Sequence, residues 1–499
     1  MAGDRPPPRP VRTRFAPSPS GDLHVGNVRT ALYAWAWARH TGGRFVFRVE
    51  DTDRSRVTDA AIATAVDDLR WLGLDWDEGP EVGGDYGPYR QSERLPLYNE
   101  WVERFLAAGS AYHCYCTQEE LDAERETRRA KGLPPGYQGR CRDLSAAQVA
   151  AYKAEGRRPV VRFRMPSGRT VVHDTIRGDV IFDNANIPDF VIMRANGYPL
   201  YNLAVSVDDA LMKITHIVRG DDLLASTPRQ IAIYTAMGMP AQDTPVFTHC
   251  PYVLGSDGKP LSKRYGSASV GWYRDHGFLP EAVVNYLALL GWSPGGDREE
   301  LSLGELVELF DLGRVGATAG RLDLAKLDDI NGDKIRALPV AEFVGRLVPF
   351  LQRAGLVADP PSPDHRRLVE AAAPLVQERL TRLTEATDLL AFLFVREDVF
   401  GVDPESAARV LTEDARPVLE AADAALDAVE PWNHQSIEHA LRHCLVDELG
   451  RKPRQAFGPV RVAVSGRRVS PPLFESLELL GRERARRRIR RALAQHVGA

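Results

Sequence analysis

The chain has 499 residues, too many for one domain, and we expect it to divide into about three or four. Hydrophobic residues (44%) and charged residues (26%) are balanced as in soluble proteins, and no apolar run approaches the roughly 18 residues that a membrane span needs. The start, MAGDRPPPRP, lacks the apolar centre of a signal peptide and predicts a disordered leader over 1–10 and a cytoplasmic protein. The net charge of −4 does not by itself indicate a nucleic-acid partner.

The segment 14–54 is the most informative part of the sequence. A strand that ends near Phe15 is followed by a turn rich in proline, serine and glycine, and a helix then begins at His24. Apolar residues recur along this helix at helical spacing until Gly42 and Gly43 end it. Because the first amides of a helix have no partner inside the helix, this turn can bind phosphate.

A second strand follows, in which Phe45, Phe47 and Val49 alternate with other residues. Acidic residues come directly after it, within the run from Glu50 to Asp53. Ligands of open parallel sheets bind at the carboxyl ends of the strands. The stretch therefore predicts a nucleotide site with fixed charges at its rim.

Alternating strands and helices continue to about residue 250. Leu200–Val207 is predicted to be extended, and Lys213–Val218 is a further strand that ends at Arg219. Between Cys114 and Ile187 the sequence changes to clustered cysteines, a charged helix and short strands. This part is interpreted as an insertion in the alternating domain.

The carboxyl half is predicted to be helical from about Leu279 and contains no obvious catalytic group of residues. Its last helix has seven arginines against one glutamate between Arg482 and Arg491. Two interpretations remain open for this helix. It is a local patch that binds phosphates, or it is a solvated arginine-rich helix.

Two motifs resemble those of a known family. PSPSGDLHVGN, from Pro17 to Asn27, resembles the HIGH signature of class I aminoacyl-tRNA synthetases in the form carried by glutamyl-tRNA synthetases, with Asn27 at its last position. The acids after Glu50 are similar to the next motif of that family. Pro260–Arg264 resembles the KMSKS signature, whose second lysine is kept as Lys263 while a proline replaces the first.

The resemblance implies a multidomain α/β plus all-α fold. A class I Rossmann-like parallel-sheet catalytic domain would carry an inserted acceptor-binding domain, and a helical anticodon-binding half would follow. The implied domains are the first catalytic half over 11–113, the connective-peptide insertion over 114–187, the second catalytic half over 188–250, the KMSKS loop and stem-contact domain over 251–331, and the helical anticodon-binding domains over 332–499.

The activity that the resemblance implies is that of a glutamate–tRNA ligase. Such an enzyme uses ATP and Mg²⁺ to convert L-glutamate to glutamyl-adenylate and then transfers the glutamyl group to the terminal adenosine of tRNA(Glu). A monomer is expected. The alternative is a specialised or non-catalytic tRNA-binding paralogue, which the proline in the KMSKS-like motif favours slightly.

The glutamate substrate explains the residue types at the implied site. Its two carboxylates require guanidinium groups and its ammonium requires an acid. The resemblance assigns glutamate binding to Arg14, Ser18, Glu50, Tyr201 and Arg219, catalysis to His24 and Lys263, and ATP binding to Pro17, His24, Gly26, Asn27, Asp222, Ser262, Lys263 and Arg264.

The cysteines Cys114, Cys116 and Cys141 are grouped closely enough to indicate a metal rather than disulfides. A structural Zn²⁺ requires four ligands in a closed tetrahedron, so a fourth is missing. The resemblance offers Tyr137 or Asp143 for this place, and His113 is a further candidate. The other interpretation is a set of free cysteines left from a lost site.

Overall fold

The computed structural model describes residues 9–19, 21–53, 57–133, 136–261 and 266–497. The predicted site residues Ser262, Lys263 and Arg264 lie outside the described residues. The chain divides into two compact units, the first formed by Met1–Tyr273 with Val283–Asp323 and the second by Arg274–Ala282 with Leu324–Ala499. Within the described ranges, no helix is long and apolar enough to cross a membrane.

The strands all belong to the first unit. They are β1 (Arg12–Phe15), β2 (Arg44–Phe47), β3 (Ala111–Cys114), β4 (Val160–Phe163), β5 (Arg169–Asp174), β6 (Gly178–Asp183), β7 (Phe190–Met193), β8 (His216–Gly220), β9 (Val246–Cys250), β10 (Val253–Leu254) and β11 (Gly320–Arg321).

The helices occur in both units. They are α1 (Val25–His40), α2 (Asp59–Trp71), α3 (Leu95–Ala107), α4 (Gln118–Ala130), α5 (Ala146–Ala154), α6 (Tyr201–Leu211), α7 (Thr227–Ala236), α8 (Val270–Asp275), α9 (Pro280–Leu289), α10 (Leu303–Leu309), α11 (Leu324–Ala337), α12 (Val340–Arg353), α13 (Pro363–Ala372), α14 (Pro374–Gln377), α15 (Glu385–Phe394), α16 (Pro404–Val410), α17 (Arg416–Asp427), α18 (His434–Arg442), α19 (Pro453–Ser465), α20 (Leu473–Leu480) and α21 (Arg482–His496).

Parallel strands form the centre of the first unit. β1 pairs with β2, and a second sheet has the order β6, β5, β9, β8, in which β5 and β8 both run parallel to β9. The two sheets adjoin, because Thr215 just before β8 donates its amide hydrogen to the Arg12 carbonyl of β1 at 2.9 Å. The carboxyl ends of β1, β2, β8 and β9 consequently lie along one edge, as the predicted Rossmann-like class requires.

Helix α1 confirms the prediction made for the first motif. Its buried residues include Val28, Leu32 and Trp35, and it ends as predicted at the two glycines. Gly42 adopts a φ of 63°, and a Cβ on Gly43 would clash with the Val11 carbonyl, so both positions need glycine.

The prediction of an extended run over Leu200–Val207 was wrong, because these residues begin helix α6. Leu203, Ala204 and Val207 lie on one helical face and pack into the core formed by α3, β4 and β7. Asp208 and Asp209, near the end of this helix, form buried ion pairs with arginines. A strand prediction from local sequence does not include these pairs. Tertiary packing thus decides the conformation of this segment against its β-branched composition.

The second unit is helical, as predicted, and most arginines of its last helix are bound within the unit, so the interpretation as a solvated helix was wrong. Arg488 in α21 is 1% exposed, binds Glu397 and the Val464 carbonyl, and lies 3.6 Å from the centre of the Phe400 ring. Of the seven arginines, only Arg487 has no hydrogen bond or ion pair within the part of the chain that the structure describes. The other six bind carboxylates or carbonyl oxygens of the same unit: Arg482, Arg484, Arg486, Arg488, Arg490 and Arg491.

Glu397 is the carboxylate on which this packing depends, and its replacement is the first test. Burial would raise the pKa of Glu397, but Arg488 and Arg484 bind it and lower that pKa. For Glu397→Gln we expect the free energy of unfolding of this unit to fall by about 3 kcal/mol, because a buried guanidinium loses its counter-charge. Because the folded-state pKa is lowered, the wild type loses this advantage as pH falls below about 4.

The measurement is calorimetric unfolding of the full chain between neutral pH and pH 3. Glu483→Gln is the matched control, since Glu483 is an exposed acid on α21, the helix whose arginines bind Glu397. Equal stabilities of the two variants at neutral pH would contradict the structural role of Glu397.

Candidate active site

The loops after β1 and β2 are joined at the carboxyl edge of the sheet. The Glu50 amide donates to the Pro17 carbonyl at 2.9 Å, which places the acid of the second loop beside the first. Pro17 and Glu50 are buried, whereas Ser18 is exposed to solvent. The sheet therefore brings the two predicted motifs of segment 14–54 together.

A buried charge network lies beneath this edge. Asp209 of α6 accepts hydrogen bonds from the Arg14 Nε at 3.3 Å and from the Arg48 Nη1 at 2.7 Å, and the Arg48 Nη2 binds Glu50 at 3.1 Å. Burial raises the pKa of Asp209, but Arg14 and Arg48 outweigh that effect and lower it. For Glu50, burial outweighs the same two arginines and raises the pKa.

The neighbouring acid, Asp208, anchors the network to helix α3 and the loop before it. It accepts hydrogen bonds from the Arg94 Nε at 2.6 Å, from Gln91 at 2.8 Å and from the Tyr98 hydroxyl at 2.8 Å. The sequence analysis did not assign a role to any of these residues. The available signal was a pair of adjacent acids inside an otherwise apolar segment, since such acids are rarely buried without partners.

Arg219 differs from Arg14, Arg48 and Arg94 in its partners. It is 4% exposed at the end of β8, and its guanidinium donates to His249 Nε2 at 3.0 Å, to Gln230 Oε1 at 2.8 Å and to Thr227 Oγ1 at 2.8 Å, with a longer bond to the Leu223 carbonyl at 3.3 Å. These acceptors are all neutral, and desolvation lowers the pKa of Arg219. No carboxylate within the described ranges forms an ion pair with it.

Tyr201 connects the two arginines of the predicted glutamate site. It begins helix α6 and is partly buried. Burial raises the pKa of its hydroxyl, the charges of Arg219 and Arg14 lower it, and Glu50 raises it. The Tyr201 hydroxyl therefore lies within electrostatic range of Arg219, Arg14 and Glu50.

His24 is fixed at the amino end of α1. Its Nδ1 accepts the Gly26 amide hydrogen at 3.1 Å, so the ring hydrogen is on Nε2, which donates to the Leu261 carbonyl at 3.0 Å. Gly26 and Asn27 lie in the first turn, and the Asn27 side chain is exposed. Leu261 belongs to the KMSKS-like segment Pro260–Arg264, so the HIGH-like motif binds the described part of that segment.

Asp222 follows β8 in a short 3-10 helix and is exposed. A Cβ at Gly220 would meet its carboxylate, and the exposed Asp222 side chain can turn away from such a contact. The adjacent Asp221 pairs with Arg177 at 2.9 Å.

The three predicted metal-binding cysteines form one cluster. The Sγ atoms of Cys114, Cys116 and Cys141 all lie within 4.8 Å of one another. The Tyr137 hydroxyl lies 3.6 Å from the Cys114 Sγ and accepts the Cys141 amide hydrogen at 2.7 Å. The Arg162 guanidinium lies 3.8 Å from the centre of the Tyr137 ring.

The other two candidates for a fourth ligand have different surroundings. The Asp143 side chain is 80% exposed and pairs with Arg164 at 3.1 Å. His113 is exposed on β3, on the opposite face from Cys114. Neither belongs to the group of close ligand atoms that contains the cysteines.

Comparison with known proteins identifies the two parts of the chain. Residues 10–329 match the family of class I tRNA synthetases (E and Q), catalytic domain, and residues 342–493 match the anticodon binding domain. A glutamate–tRNA ligase of Nocardioides is 53% identical over 97% of this chain and 99% of its own length. One of Saccharopolyspora erythraea is 52% identical over 98% and 97%.

Solved structures give the same result. The crystal structure of a glutamate tRNA ligase from Elizabethkingia meningosepticum, in complex with its amino acid, matches 98% of this chain and 100% of its own chain. The TM-score is 0.85 and the sequence identity is 30%.

Proposed function

The chain belongs to the class I tRNA synthetases for glutamate and glutamine and is a glutamate–tRNA ligase, and we propose that its glutamate site lies at the carboxyl ends of β1, β2 and β8. There a carboxylate oxygen of glutamate attacks the α-phosphorus of ATP, and the bond to the β-phosphate breaks to release pyrophosphate. A hydroxyl of the terminal adenosine of tRNA then attacks the glutamyl carbonyl, and AMP leaves.

The observation that carries this assignment is the surroundings of Arg219. A guanidinium buried among neutral acceptors is costly unless an anion compensates it, and a substrate carboxylate supplies that charge in a matching planar geometry. Arg14 and Arg48 have Asp209 as their counter-ion, so their charge is already compensated. Arg219 is therefore the proposed principal contact of a glutamate carboxylate.

Glu50 and Tyr201 complete the proposed pocket. Glu50 contributes a carboxylate near the position that Arg219 and Arg14 surround, and this acid is suited to the substrate ammonium. Glutamine lacks the second negative charge and would leave the Arg219 guanidinium uncompensated. The site therefore favours glutamate over glutamine. The free-energy cost of leaving a buried guanidinium unpaired is larger than the binding energy that an added contact supplies.

The proposed ATP site lies at the amino end of α1. The positive end of the helix dipole lies there and favours phosphates, and His24 caps this end by accepting the Gly26 amide hydrogen on Nδ1. Mg²⁺, when bound to ATP, offsets the charge of the phosphates. From the resemblance, Lys263 and Arg264 stabilise the departing pyrophosphate, and the hydrogen bond between His24 and Leu261 supports this by bringing their segment next to α1.

The second unit contains the anticodon-binding domain, and we assign part of its tRNA contact to a groove of about 860 Å³. Arg451 and Arg454 in this groove form no ion pair with a described carboxylate, so their charge is available to phosphates. Phe457 adds an aromatic surface for an unstacked base. Three further arginines line the groove: Arg409, Arg461 and Arg468.

Zn²⁺ fits the cysteine cluster with Tyr137 as its fourth ligand. The three sulfur atoms lie within 4.8 Å of one another, and the Tyr137 hydroxyl lies 3.6 Å from the Cys114 Sγ, which suits a closed site of four ligands. Asp143 would have to leave Arg164 to reach the cluster. Zinc at this position would stabilise the fold between β3 and β4 and would take no part in the reaction.

Arg219→Lys tests the glutamate site. We expect the KM for glutamate to rise roughly 10- to 100-fold, because an ammonium cannot reproduce a guanidinium that binds three neutral acceptors and a carboxylate together. The KM for ATP should stay within a factor of about two. Steady-state charging of tRNA gives both constants, and Arg104→Lys, an exposed residue of α3, is the control. An unchanged glutamate KM would exclude Arg219 from the site.

Pyrophosphate exchange tests the function. With tRNA(Glu), ATP and Mg²⁺, we expect glutamate to support exchange and charging, and glutamine to do so with a kcat/KM lower by roughly a thousandfold or more. A protein that binds tRNA but gives no exchange at any glutamate concentration would instead be the non-catalytic paralogue.

The same assay examines the anticodon groove. Replacing both Arg451 and Arg454 with alanine should raise the KM for tRNA and make its salt dependence shallower, while the glutamate KM stays unchanged. Arg367→Ala, which removes an exposed arginine of the same unit, is the matched control.

Metal analysis tests the zinc site. We expect about one Zn²⁺ per chain after purification without chelators, and loss of the metal in Cys141→Ser. Tyr137→Phe should lower zinc affinity, because it removes the fourth ligand, while Asp143→Ala should leave it unchanged. Equal zinc content in the tyrosine and aspartate variants would contradict the role of Tyr137.

A further inference from the structure

Arg219 is the end of a chain of three buried side chains on neighbouring strands. Asp174 ends β5, His249 lies in β9, and Arg219 lies in β8, directly opposite His249 in the parallel ladder. All three are at most 5% exposed. They therefore form a single layer beneath the proposed glutamate site.

In this layer Arg219 donates a hydrogen bond to His249, and His249 donates one to Asp174. Asp174 Oδ2 accepts from His249 Nδ1 at 2.7 Å and from the His249 amide at 2.9 Å. The Nδ1 consequently carries the ring hydrogen, and Nε2 is left as an acceptor for the Arg219 Nε–H at 3.0 Å. Burial lowers the pKa of His249, so the ring is neutral at neutral pH.

Asp174 is itself held rigidly. Its second oxygen, Oδ1, accepts the amide hydrogens of Ile176 at 2.9 Å and Arg177 at 2.8 Å. These bonds fix the carboxylate, the carboxylate fixes the tautomer and angle of the imidazole, and the imidazole fixes the guanidinium. Gln230 and Thr227 complete the arrangement on the other nitrogens of Arg219.

We propose that His249, oriented by Asp174, is a positioning residue that sets the orientation of Arg219 for the substrate carboxylate; this rests on the proposed glutamate site. A carboxylate bound directly to Arg219 would occupy the nitrogens that the substrate needs. The neutral imidazole of His249 lies between Asp174 and Arg219, so the Asp174 carboxylate does not contact the guanidinium directly. Arg219 thus has a nearby counter-charge, while its guanidinium can still pair with glutamate.

Two variants of His249 separate positioning from simple loss of a buried ring. In His249→Gln, the side-chain carbonyl oxygen can reach the position of Nε2 and accept the hydrogen bond from Arg219. In His249→Asn, the shorter side chain can keep the hydrogen bond to Asp174 but cannot reach Arg219. We expect the asparagine variant to raise the glutamate KM roughly tenfold or more, and the glutamine variant to recover most of this loss. The kcat at saturating glutamate and the KM for ATP should change by less than about threefold in both.

The control is His216→Asn, which removes a partly buried histidine of the same strand as Arg219 at its opposite end. Thermal unfolding confirms that each variant is folded. If a His249 variant is not folded, Asp174→Asn takes its place, and the comparison of glutamate KM with kcat is made on that variant. Equal glutamate KM values for the glutamine and asparagine variants, or values equal to the wild type, would overturn the proposal. If Arg219→Lys itself leaves the glutamate KM unchanged, the proposed glutamate site is wrong instead.

Discussion

The burial of charge at the carboxyl edge of the sheet is the constraint on which the first unit depends. Asp208 and Asp209 are consecutive residues of one helix, and their side chains are fully buried. Asp209 binds Arg14 of β1 and Arg48 just after β2, while Asp208 binds Arg94 before α3. Since removal of one partner leaves a buried charge without compensation, these contacts fix α6 against two strands and a helix.

The site follows from the way in which this charge is distributed. Arg14, Arg48 and Arg94 are matched by Glu50, Asp208 and Asp209 through direct ion pairs. Arg219 is the exception, because its nearest acceptors are neutral and the closest acid of its own layer is separated from it by an imidazole. A site for a dicarboxylic amino acid thus arises from one guanidinium that is fixed in position but not neutralised.

Local pattern and family resemblance predicted different parts of this arrangement. Helical spacing and two glycines were sufficient for α1, and the resemblance assigned Arg14, Glu50, Tyr201 and Arg219 to the proposed glutamate site. The partners in the charge network come from segments up to about 200 residues apart, so no local pattern contains them. The same reason explains the error for α21, whose arginines bind Glu397 in the loop after α15 and Asp423 in α17.

The origin of Asp174 links the glutamate site to the inserted segment. β5 lies within 114–187, yet it runs parallel to β9, and the Thr175 amide just after it donates to the Phe247 carbonyl at 2.8 Å. The strand therefore shares backbone hydrogen bonds and a buried carboxylate with the strand that carries His249. A displacement of β5 would move Asp174 and, through the imidazole, the guanidinium of Arg219. Any ligand that displaces β5 would act on the guanidinium by that route, because Asp174 and His249 lie on paired strands.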